Sequence, residues 1–384
     1  MLRGLAIDLW GMSEAAVVAS PIVYNDKVDL FSVAFHLITL SKPLLYDLYV
    51  NFSADGKSNK FIKVFPAGET METADLDRIK GKYSRTYILE SQRAAYLKSL
   101  ATSEALPDLE KTAVIKDSAI KYLDELFNEK RTFTTELLNE SIAKCHDTVS
   151  SMVTVIQNYD IDQLQEHIAK LSFHDFYTYD HSINVSMYCI SFYRFLYPKA
   201  PESEVVLAGL GGMLHDLGKI KIATSIINNP GKLSDAEFAE MRKHPIFGQE
   251  LMGSSDVVIP KGMDLVTLKR VISEHHENWD GTGYPNKIKG EDIHIMARVT
   301  AICDFFDAIT TKRAYSTPMT VSDALDIIGK TSNKKIDGEL FKKFCEHVKK
   351  AKPKGRSVAE IDSDFDPCMP HAKLPLHGFR HTHK

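Results

Sequence analysis

The sequence predicts an α+β protein in which a small N-terminal α/β domain precedes a larger, mainly α-helical C-terminal domain. Apolar residues alternate with polar ones over residues 45–65, which indicates a β-hairpin. Apolar residues recur at helical spacing from Ile115 to Phe127, and the segments from 170 to 350 are also mainly helical in pattern. A chain of 384 residues is long enough for roughly two domains of ordinary size.

The predicted N-terminal domain covers residues 1–100 and contains the hairpin, a short helix and a further strand. The alternating side chains of the first strand are Tyr46, Leu48, Val50 and Phe52. A turn at Asp55-Gly56 separates this strand from the next. The short helix is predicted to have Thr73 as its N-cap and to end near Gly81, before the strand-like "RTYILE". We read no catalytic chemistry in this domain and predict a sensory or dimerisation module.

Residues 101–168 are predicted to form a helical connector. Packing of this connector against its own chain is the main interpretation, and a dimerising or signal-transmitting role is the alternative. Residues 169–350 are predicted to form the helical C-terminal domain. Residues 351–384 mix lysine, proline and histidine and are predicted to be a polar, solvated tail.

Charge and cysteine content exclude several classes of protein. A formal net charge of −4 gives no general attraction for nucleic-acid polymers. The 5 cysteines include no C-x-x-C pair, which argues against a disulfide framework and a zinc ribbon and favours a reducing cytoplasm. Acidic residues interrupt the apolar N-terminus, so we expect neither a signal peptide nor a membrane span.

Seven histidine and aspartate residues in the second half are candidate metal ligands, spaced so that each one or each pair falls on a different helix or helix end. They are His181, His215, Asp216, His244, His275, His276 and Asp304. A helical bundle can direct side chains from several helices into one central cavity. The spacing therefore permits a single metal site, although a lone histidine is usually only a packed or surface residue.

The local surroundings of two aspartates strengthen the metal interpretation. Asp216 follows an almost wholly apolar helix, and Asp304 lies in the apolar stretch "ARVTAICDFFDAIT". A buried carboxylate is costly unless a charge compensates it, and a metal ion is such a charge. We expect Asp307 to be a packing or hydrogen-bonding residue, Gly218 to stop the helix, and Lys219 to lie at the rim of the site.

Five blocks of sequence occur in the order and spacing of a known family. They are "YTYDHS", "HDLGKI", "NNPGKLSDAEFAEMRKHPIFGQE", "HHENWDGTGYP" and "DFFDAITTKRAYS". The chain resembles the HD-GYP family of cyclic di-GMP phosphodiesterases, which are HD-superfamily phosphohydrolases, over residues 170 to 345. The resemblance implies a helical bundle domain and an enzymatic role in bacterial second-messenger signalling.

The resemblance also implies how the ligands divide between two divalent metal ions. Asp216 would bridge them, with His181, His215 and Asp304 on one side and His244, His275 and His276 on the other. Some family members hold a third metal through a glutamate where this chain has Tyr177, so two ions are expected. Mixed imidazole and carboxylate ligands suit iron, manganese, zinc or nickel, and the resemblance favours iron or manganese.

The reaction implied by the resemblance is hydrolysis of cyclic di-GMP to linear pGpG, with further cleavage to GMP as an open possibility. Two cations would lower the pKa of a water, so that hydroxide attacks near neutral pH, while Asp216 holds the cations. Lys219 would stabilise or protonate an oxygen of the substrate, and Arg313 would bind the other phosphate. A surface salt bridge is the alternative for Arg313.

The glycine-rich turn is expected to form the lip of the substrate site through Gly283, Tyr284 and Pro285, with a purely structural turn as the alternative. Asp280 and Gly281 are interpreted mainly as turn formers. Two positions depart from the family pattern, because Ala314 and Ser316 stand where proline and a basic residue are usual. The grip on the second half of the substrate is therefore expected to differ.

Alternative functions are a non-catalytic cyclic-dinucleotide sensor or interaction module, and a hydrolase that prefers 3'3'-cyclic GMP-AMP. A general HD nucleotidase would not need the "DGTGYP" turn. Further expectations are a homodimer, formed through the N-terminal domain or the connector helices, and a diguanylate cyclase (GGDEF) partner.

Overall fold

The structure is a computed structural model that describes residues 23–24, 28–52, 59–171, 177–227, 229, 233–310 and 320–348. The chain divides into two compact units, Met1–Leu106 and Pro107–Lys384. A small sheet with helices forms the first unit, and helices dominate the second. The predicted α+β architecture is confirmed. The Asp55-Gly56 turn, Arg313, Ala314, Ser316 and the tail lie outside the described residues.

The first unit is built on a five-stranded sheet with the spatial order β1-β4-β3-β5-β2. The pairings among the described strands are all antiparallel. The strands are β1 (Val23–Tyr24), β2 (Leu30–Val33), β3 (Leu48–Asn51), β4 (Phe61–Phe65) and β5 (Thr86–Leu89). Strands β3 and β4 are the two arms of the predicted hairpin, and β5 lies within the predicted "RTYILE" strand.

Two helices accompany the sheet, α1 (Thr73–Lys80) and α2 (Arg93–Ala101). The N-cap of helix α1 lies one residue earlier than predicted. Glu72 is the N-cap, in extended conformation, and exchanges hydrogen bonds with Asp75 in a capping box. The prediction of Thr73 as N-cap was wrong, because a glutamate three residues before an aspartate supplied the reciprocal bonds. Gly81 ends the helix, as predicted.

Buried aromatic rings form much of the core of the first unit. Tyr46, Tyr49 and Tyr96 are fully buried, and the rings of Tyr46 and Tyr96 meet edge to face with centroids 5.3 Å apart. Edge-to-face contact aligns the positive edge of one ring with the negative face of the other. Phe52, at the end of the predicted alternation, is 39% exposed and does not join this core.

The second unit is helical throughout its described residues. Its helices are α3 (Asp108–Phe127), α4 (Thr135–Ile156), α5 (Ile161–Leu171), α6 (Tyr177–Leu196), α7 (Glu202–Leu214), α8 (Thr224–Ile227), α9 (Asp235–Met241), α10 (His244–Gly253), α11 (Leu265–Glu274), α12 (Ile295–Thr310), α13 (Val321–Lys330) and α14 (Gly338–His347). A short 3₁₀ helix, Leu217–Lys221, follows α7. No helix in the described ranges is long and apolar enough to cross a membrane.

Helix α7 is the centre of this unit. Every residue from Val205 to Leu214 is buried, and the helix packs against α4, α6, α11 and α12. Gly209 allows the close approach, because a Cβ there would lie 2.6 Å from a side-chain atom of Ile190 and 2.8 Å from one of Val149. The helix that carries two candidate ligands at its C-terminal end is therefore enclosed by neighbouring helices.

The predicted connector helices α3 and α4 pack against helices of the second unit, including α6. One contact is a buried ion pair, in which Lys116 Nζ lies 2.9 Å from Asp180 Oδ1. Lys116 is fully buried and also donates to the carbonyl of Leu171. Asp180 immediately precedes the candidate ligand His181, so α3 contacts the segment that carries this ligand.

Candidate metal centre

The structure brings all seven predicted ligands together in two groups. Asp216, His244, His275 and His276 form one group, and His181, His215 and Asp304 form the other. Within each group the candidate ligand atoms lie within 4.8 Å of one another. The division of the residues matches the one that the sequence resemblance implied.

Helix ends hold most of these side chains in place. His215 is the C-cap residue of α7, His275 is the C-cap residue of α11, and His244 opens α10. Asp216 follows His215 directly, and His276 follows His275. Asp304 lies within α12, where it is 2% exposed. Rigid helices therefore fix the direction of each ligand.

Hydrogen bonds to backbone carbonyls set the orientation of three imidazoles. Nδ1 of His215, His244 and His275 lies 2.7, 2.9 and 2.9 Å from the carbonyl oxygens of Gly212, Met241 and Ile272, respectively. A carbonyl oxygen only accepts, so each Nδ1 carries the proton, and in the neutral ring Nε2 has a free lone pair. This arrangement is the usual one for histidines that bind metal through Nε2.

Two of these lone pairs point at each other. Nε2 of His244 lies 3.3 Å from Nε2 of His275, and both rings are almost completely buried. Two acceptors at this distance repel in the protein interior, where few waters screen them. A cation bound by both nitrogens removes the repulsion, so the donor set fits a divalent metal ion.

Burial keeps this group of histidines neutral. Desolvation lowers the pKa of His244 to about 4 and that of His275 to about 3, and it lowers the pKa of His276 well below the ordinary value. The ammonium of Lys219 acts in the same direction on His244 and His276, whereas the carboxylate of Asp216 opposes the shift. Neutral imidazole is the form that binds metal, so this group is ready to bind without losing protons.

Asp216 lies between the two groups. Its Oδ2 is 3.3 Å from Nε2 of His215, and its Oδ1 is 3.4 Å from Nε2 of His244. Burial opposes ionisation of this carboxyl, but the charges of His215 and Lys219 outweigh it and hold the pKa of Asp216 well below its usual value. A carboxylate that presents one oxygen to each group can bridge two cations.

The second group is arranged around His181. Its Nε2 is 3.0 Å from Oδ1 of Asp304, and its Nδ1 is 2.7 Å from Oδ2 of Asp307. Burial lowers the pKa of His181, but hydrogen bonds to the two carboxylates outweigh that effect and raise the pKa to about 9. Asp307 thus orients the ring from behind, as carboxylates do for metal-binding histidines.

Lys219 contacts the candidate bridging carboxylate. The ammonium Nζ donates a hydrogen bond of 2.6 Å to Asp216 Oδ2, and its side chain is 17% exposed. The 3₁₀ helix turns Lys219 back towards the carboxylate three residues earlier, and the partial exposure is compatible with the predicted rim position. Gly218 does not stop the helix, since α7 ends at Leu214 and Gly218 lies within the 3₁₀ helix.

The glycine-rich turn folds directly onto the histidine pair. Gly283 approaches so closely that a Cβ there would lie 2.2 Å from the backbone nitrogen of Asn278. The ring of Tyr284 stacks on the ring of His276, with centroids 4.9 Å apart. Gly281 has φ of +84°, and Asp280 Oδ1 accepts a hydrogen bond from the backbone of Thr282, as expected for turn formers. The Tyr284–Pro285 peptide bond is cis.

Two side chains next to the ligands were not predicted to contact the site. Asp307 was predicted to be a packing or hydrogen-bonding residue, but its partner His181 could not be predicted from the sequence. Arg242 places its guanidinium carbon 4.6 Å from the centre of the Tyr284 ring. Its position two residues before a ligand in "MRKHP" was the available signal. Cys303, next to Asp304, is fully buried.

Comparison with known proteins identifies the helical region. A model of the family described as HD domain matches residues 166–340. The chain is 36% identical to a cyclic di-GMP phosphodiesterase of Pseudomonas aeruginosa, over 47% of this chain and 42% of the relative. It is 37% identical to the 3'3'-cGAMP-specific phosphodiesterase 2 of Vibrio cholerae, over 44% of this chain and 31% of the relative. The chain therefore spans less than half the length of these curated relatives.

A further relative and a solved structure are also similar to this chain. The cyclic di-GMP phosphodiesterase response regulator RpfG of Xanthomonas campestris is 41% identical over 32% of each chain. A solved structure, an HDG"Y"P protein from Bdellovibrio bacteriovorus, is similar in fold with a TM-score of 0.50 at 18% identity, covering 84% of this chain and 100% of the other. Residues 166–340 match the HD domain, and the cyclic-dinucleotide phosphodiesterases among the relatives support the resemblance of this region to the HD-GYP family.

Proposed function

We propose that this protein is a metal-dependent phosphodiesterase that hydrolyses cyclic di-GMP to linear pGpG and then to GMP. The observation that carries the proposal is the pair of ligand groups joined by Asp216, in which buried imidazole nitrogens converge with their lone pairs facing inward. The names of the curated relatives support cyclic dinucleotides as the substrate class.

His244, His275 and His276 would hold one divalent ion, and His181, His215 and Asp304 would hold the other, with Asp216 in contact with both. Iron and manganese are the proposed metals, with zinc or nickel as alternatives. The bound cations supply Lewis acidity, which lowers the pKa of a water and stabilises negative charge on phosphoryl oxygens. Asp307 keeps His181 in its orientation through the 2.7 Å hydrogen bond.

Lys219 is proposed to act on the leaving oxygen. Its ammonium already lies 2.6 Å from Asp216, so a phosphate bound beside this carboxylate is within reach of the same side chain. The ammonium can stabilise charge on the departing ribose oxygen or donate a proton to it. Tyr284 and Pro285 would form the substrate lip, with Gly283 holding the turn against the ligands, and Arg313 remains a predicted phosphate contact.

The burial of Tyr284 favours a phosphate contact over base stacking. The ring is only 9% exposed, and both the imidazole of His276 and the guanidinium of Arg242 lie against it. Little of the ring face is left for a guanine. The homodimer and the diguanylate cyclase partner stay predictions, as do the sensory N-terminal domain and the cytoplasmic location.

The test is turnover of cyclic di-GMP by protein prepared without oxygen and loaded with iron or manganese, with products separated by chromatography. The account predicts pGpG followed by GMP in the wild type and no product from Asp216→Ala. Asp235→Ala, which removes an exposed carboxylate at the start of α9, is the matched control and should retain wild-type turnover.

A second substrate, 3'3'-cyclic GMP-AMP, is assayed in parallel, because one of the similar proteins is named for that specificity. A higher kcat/KM for this dinucleotide than for cyclic di-GMP would change the proposed substrate but leave the proposed reaction class unchanged. Binding of either dinucleotide by metal-loaded protein without turnover would support the sensor alternative instead.

A further inference from the structure

Arg242 is an exposed cation at the edge of the candidate metal centre. It is the C-cap residue of α9 and lies two residues before His244. Its guanidinium carbon is 4.6 Å from the centre of the Tyr284 ring and 4.8 Å from that of the Phe238 ring. Both neighbours are uncharged, so the contacts orient the guanidinium without neutralising it.

No carboxylate among the described residues forms an ion pair with Arg242. Other arginines of the same unit are neutralised: Arg270 pairs with Glu274 at 2.5 Å, and Arg298 pairs with Asp337 at 2.8 Å. The adjacent Lys243 is paired with Glu240. The five N–H donors of Arg242 are therefore available to an external oxyanion, which a guanidinium can bind with two parallel hydrogen bonds.

A column of rings connects this guanidinium to the metal centre. The Tyr284 ring contacts the guanidinium of Arg242, and it also stacks on the ring of His276, a member of the Asp216 group. The two centroid distances of 4.6 and 4.9 Å mean that the guanidinium carbon is at most 9.5 Å from the centre of the His276 ring. Arg242 is thus close enough to contact a ligand bound at the metals.

We propose that Arg242 binds the phosphate of the cyclic dinucleotide that is not being cleaved, an inference that rests on the proposed function. A cyclic dinucleotide carries two phosphodiesters, and the metals can act on only one of them at a time. The second is also anionic, and Arg242 would share it with Arg313, the contact predicted from the sequence. Lys219 is already committed to Asp216 at 2.6 Å, whereas the charge of Arg242 is oriented and uncommitted.

The expected effect is on substrate affinity. A contact made equally to the bound substrate and to the transition state changes KM and leaves the chemical step little affected. Arg242→Gln removes the charge and is expected to raise KM for cyclic di-GMP about 10- to 100-fold, as for loss of a hydrogen bond to a charged group. Arg242→Lys keeps the charge without the two-pronged geometry and should recover part of the affinity.

The experiment compares Arg242→Gln, Arg242→Lys and the control Lys243→Gln, which removes a neighbouring exposed charge that is already paired with Glu240. For each we would measure KM and kcat with cyclic di-GMP, the metal content, and the dissociation constant with cyclic di-GMP in the presence of Ca²⁺. A KM that rises far more than kcat falls, with wild-type metal content and an unaffected control, supports the proposal.

Three results overturn it. Equal KM values in Arg242→Gln and wild type mean that Arg242 does not bind substrate. Loss of metal and of kcat at constant KM means that Arg242 only supports Tyr284. Absence of any binding of cyclic di-GMP to the wild type removes the proposed function together with this inference. If the wild type binds but does not hydrolyse the dinucleotide, only the proposed function fails, and the dissociation constants decide the role of Arg242.

Discussion

Replacement of Gly218 by alanine should move Asp216 away from His244 within the candidate metal centre. Gly218 lies in the 3₁₀ helix that follows Asp216, and it packs against the first turns of α10, which begins with His244. A Cβ at this position would lie 1.9 Å from the carbonyl oxygen of His244 and 2.5 Å from the backbone nitrogen of Gly248. Both contacts are with backbone, so no side-chain rotation can relieve them.

The size of the displacement follows from these distances. Real Cβ atoms almost never come closer than 3.0 Å to another heavy atom, so the 1.9 Å contact requires a movement of at least 1.1 Å. The movement would pull the segment of Asp216 away from His244. At present Asp216 Oδ1 and His244 Nε2 are 3.4 Å apart. A misplacement of about 1 Å in an active site costs on the order of 100-fold in rate. We therefore expect kcat/KM for cyclic di-GMP to fall about 100-fold.

The assay measures turnover of cyclic di-GMP and metal content in Gly218→Ala and in the matched control Gly329→Ala. A Cβ at Gly329 would meet its nearest neighbour, Phe341 Cε1, at an ordinary 3.5 Å. The control should be as active as the wild type, and circular dichroism checks that both variants are folded. Wild-type turnover and metal content in Gly218→Ala would refute the reasoning.

Three further predictions concern pH and stability. Metal uptake at pH 7 should release about one proton per chain, because His181 has a pKa of about 9 and must lose its Nε2 proton, so affinity rises with pH up to about 9. Calorimetry in two buffers of different ionisation enthalpy measures this release, and identical heats would contradict it. Lys116→Met should lower the free energy of unfolding by about 3–5 kcal/mol, because it removes the buried ammonium that lies 2.9 Å from Asp180 Oδ1. Adding Asp180→Asn should recover part of that loss in urea denaturation, and fully additive losses would contradict the expectation. Burial raises the pKa of Tyr46 from 10.0 to about 12, so ionising its hydroxyl should cost the folded state roughly 3 kcal/mol, and stability should fall as pH rises from 10 through 12. Tyr46→Phe should flatten the decline of melting temperature between pH 10 and 12, and parallel curves for the two proteins would contradict this.

The candidate ligands could be predicted from the sequence because each carries its chemistry in the side chain. Histidines and aspartates in apolar helices are conspicuous, and their spacing places them on different helices. The hairpin of β3 and β4 could also be predicted, because alternating apolar residues indicate which side of a strand is buried. Local patterns of this kind do not depend on the rest of the fold.

Contacts between distant segments could not be predicted in the same way. The glycine pattern suggested that Gly218 stops a helix, but its role is to let His244 approach, and that requires the packing of α10. Likewise Asp307 was predicted only as a packing or hydrogen-bonding residue, because its partner His181 lies 126 residues away in the chain. The contact of Lys219 with Asp216 depends on the 3₁₀ geometry, which the residues themselves do not reveal.

The central claim is that Asp216 joins two ligand groups into one centre that holds two metal ions and cleaves cyclic di-GMP. The most direct measurement is the metal-to-protein ratio, determined together with turnover, in wild type and Asp216→Ala prepared without oxygen. The account predicts about two ions per chain and turnover in the wild type. In the variant it predicts fewer ions per chain and no turnover. Two ions per chain and full turnover in Asp216→Ala would contradict it.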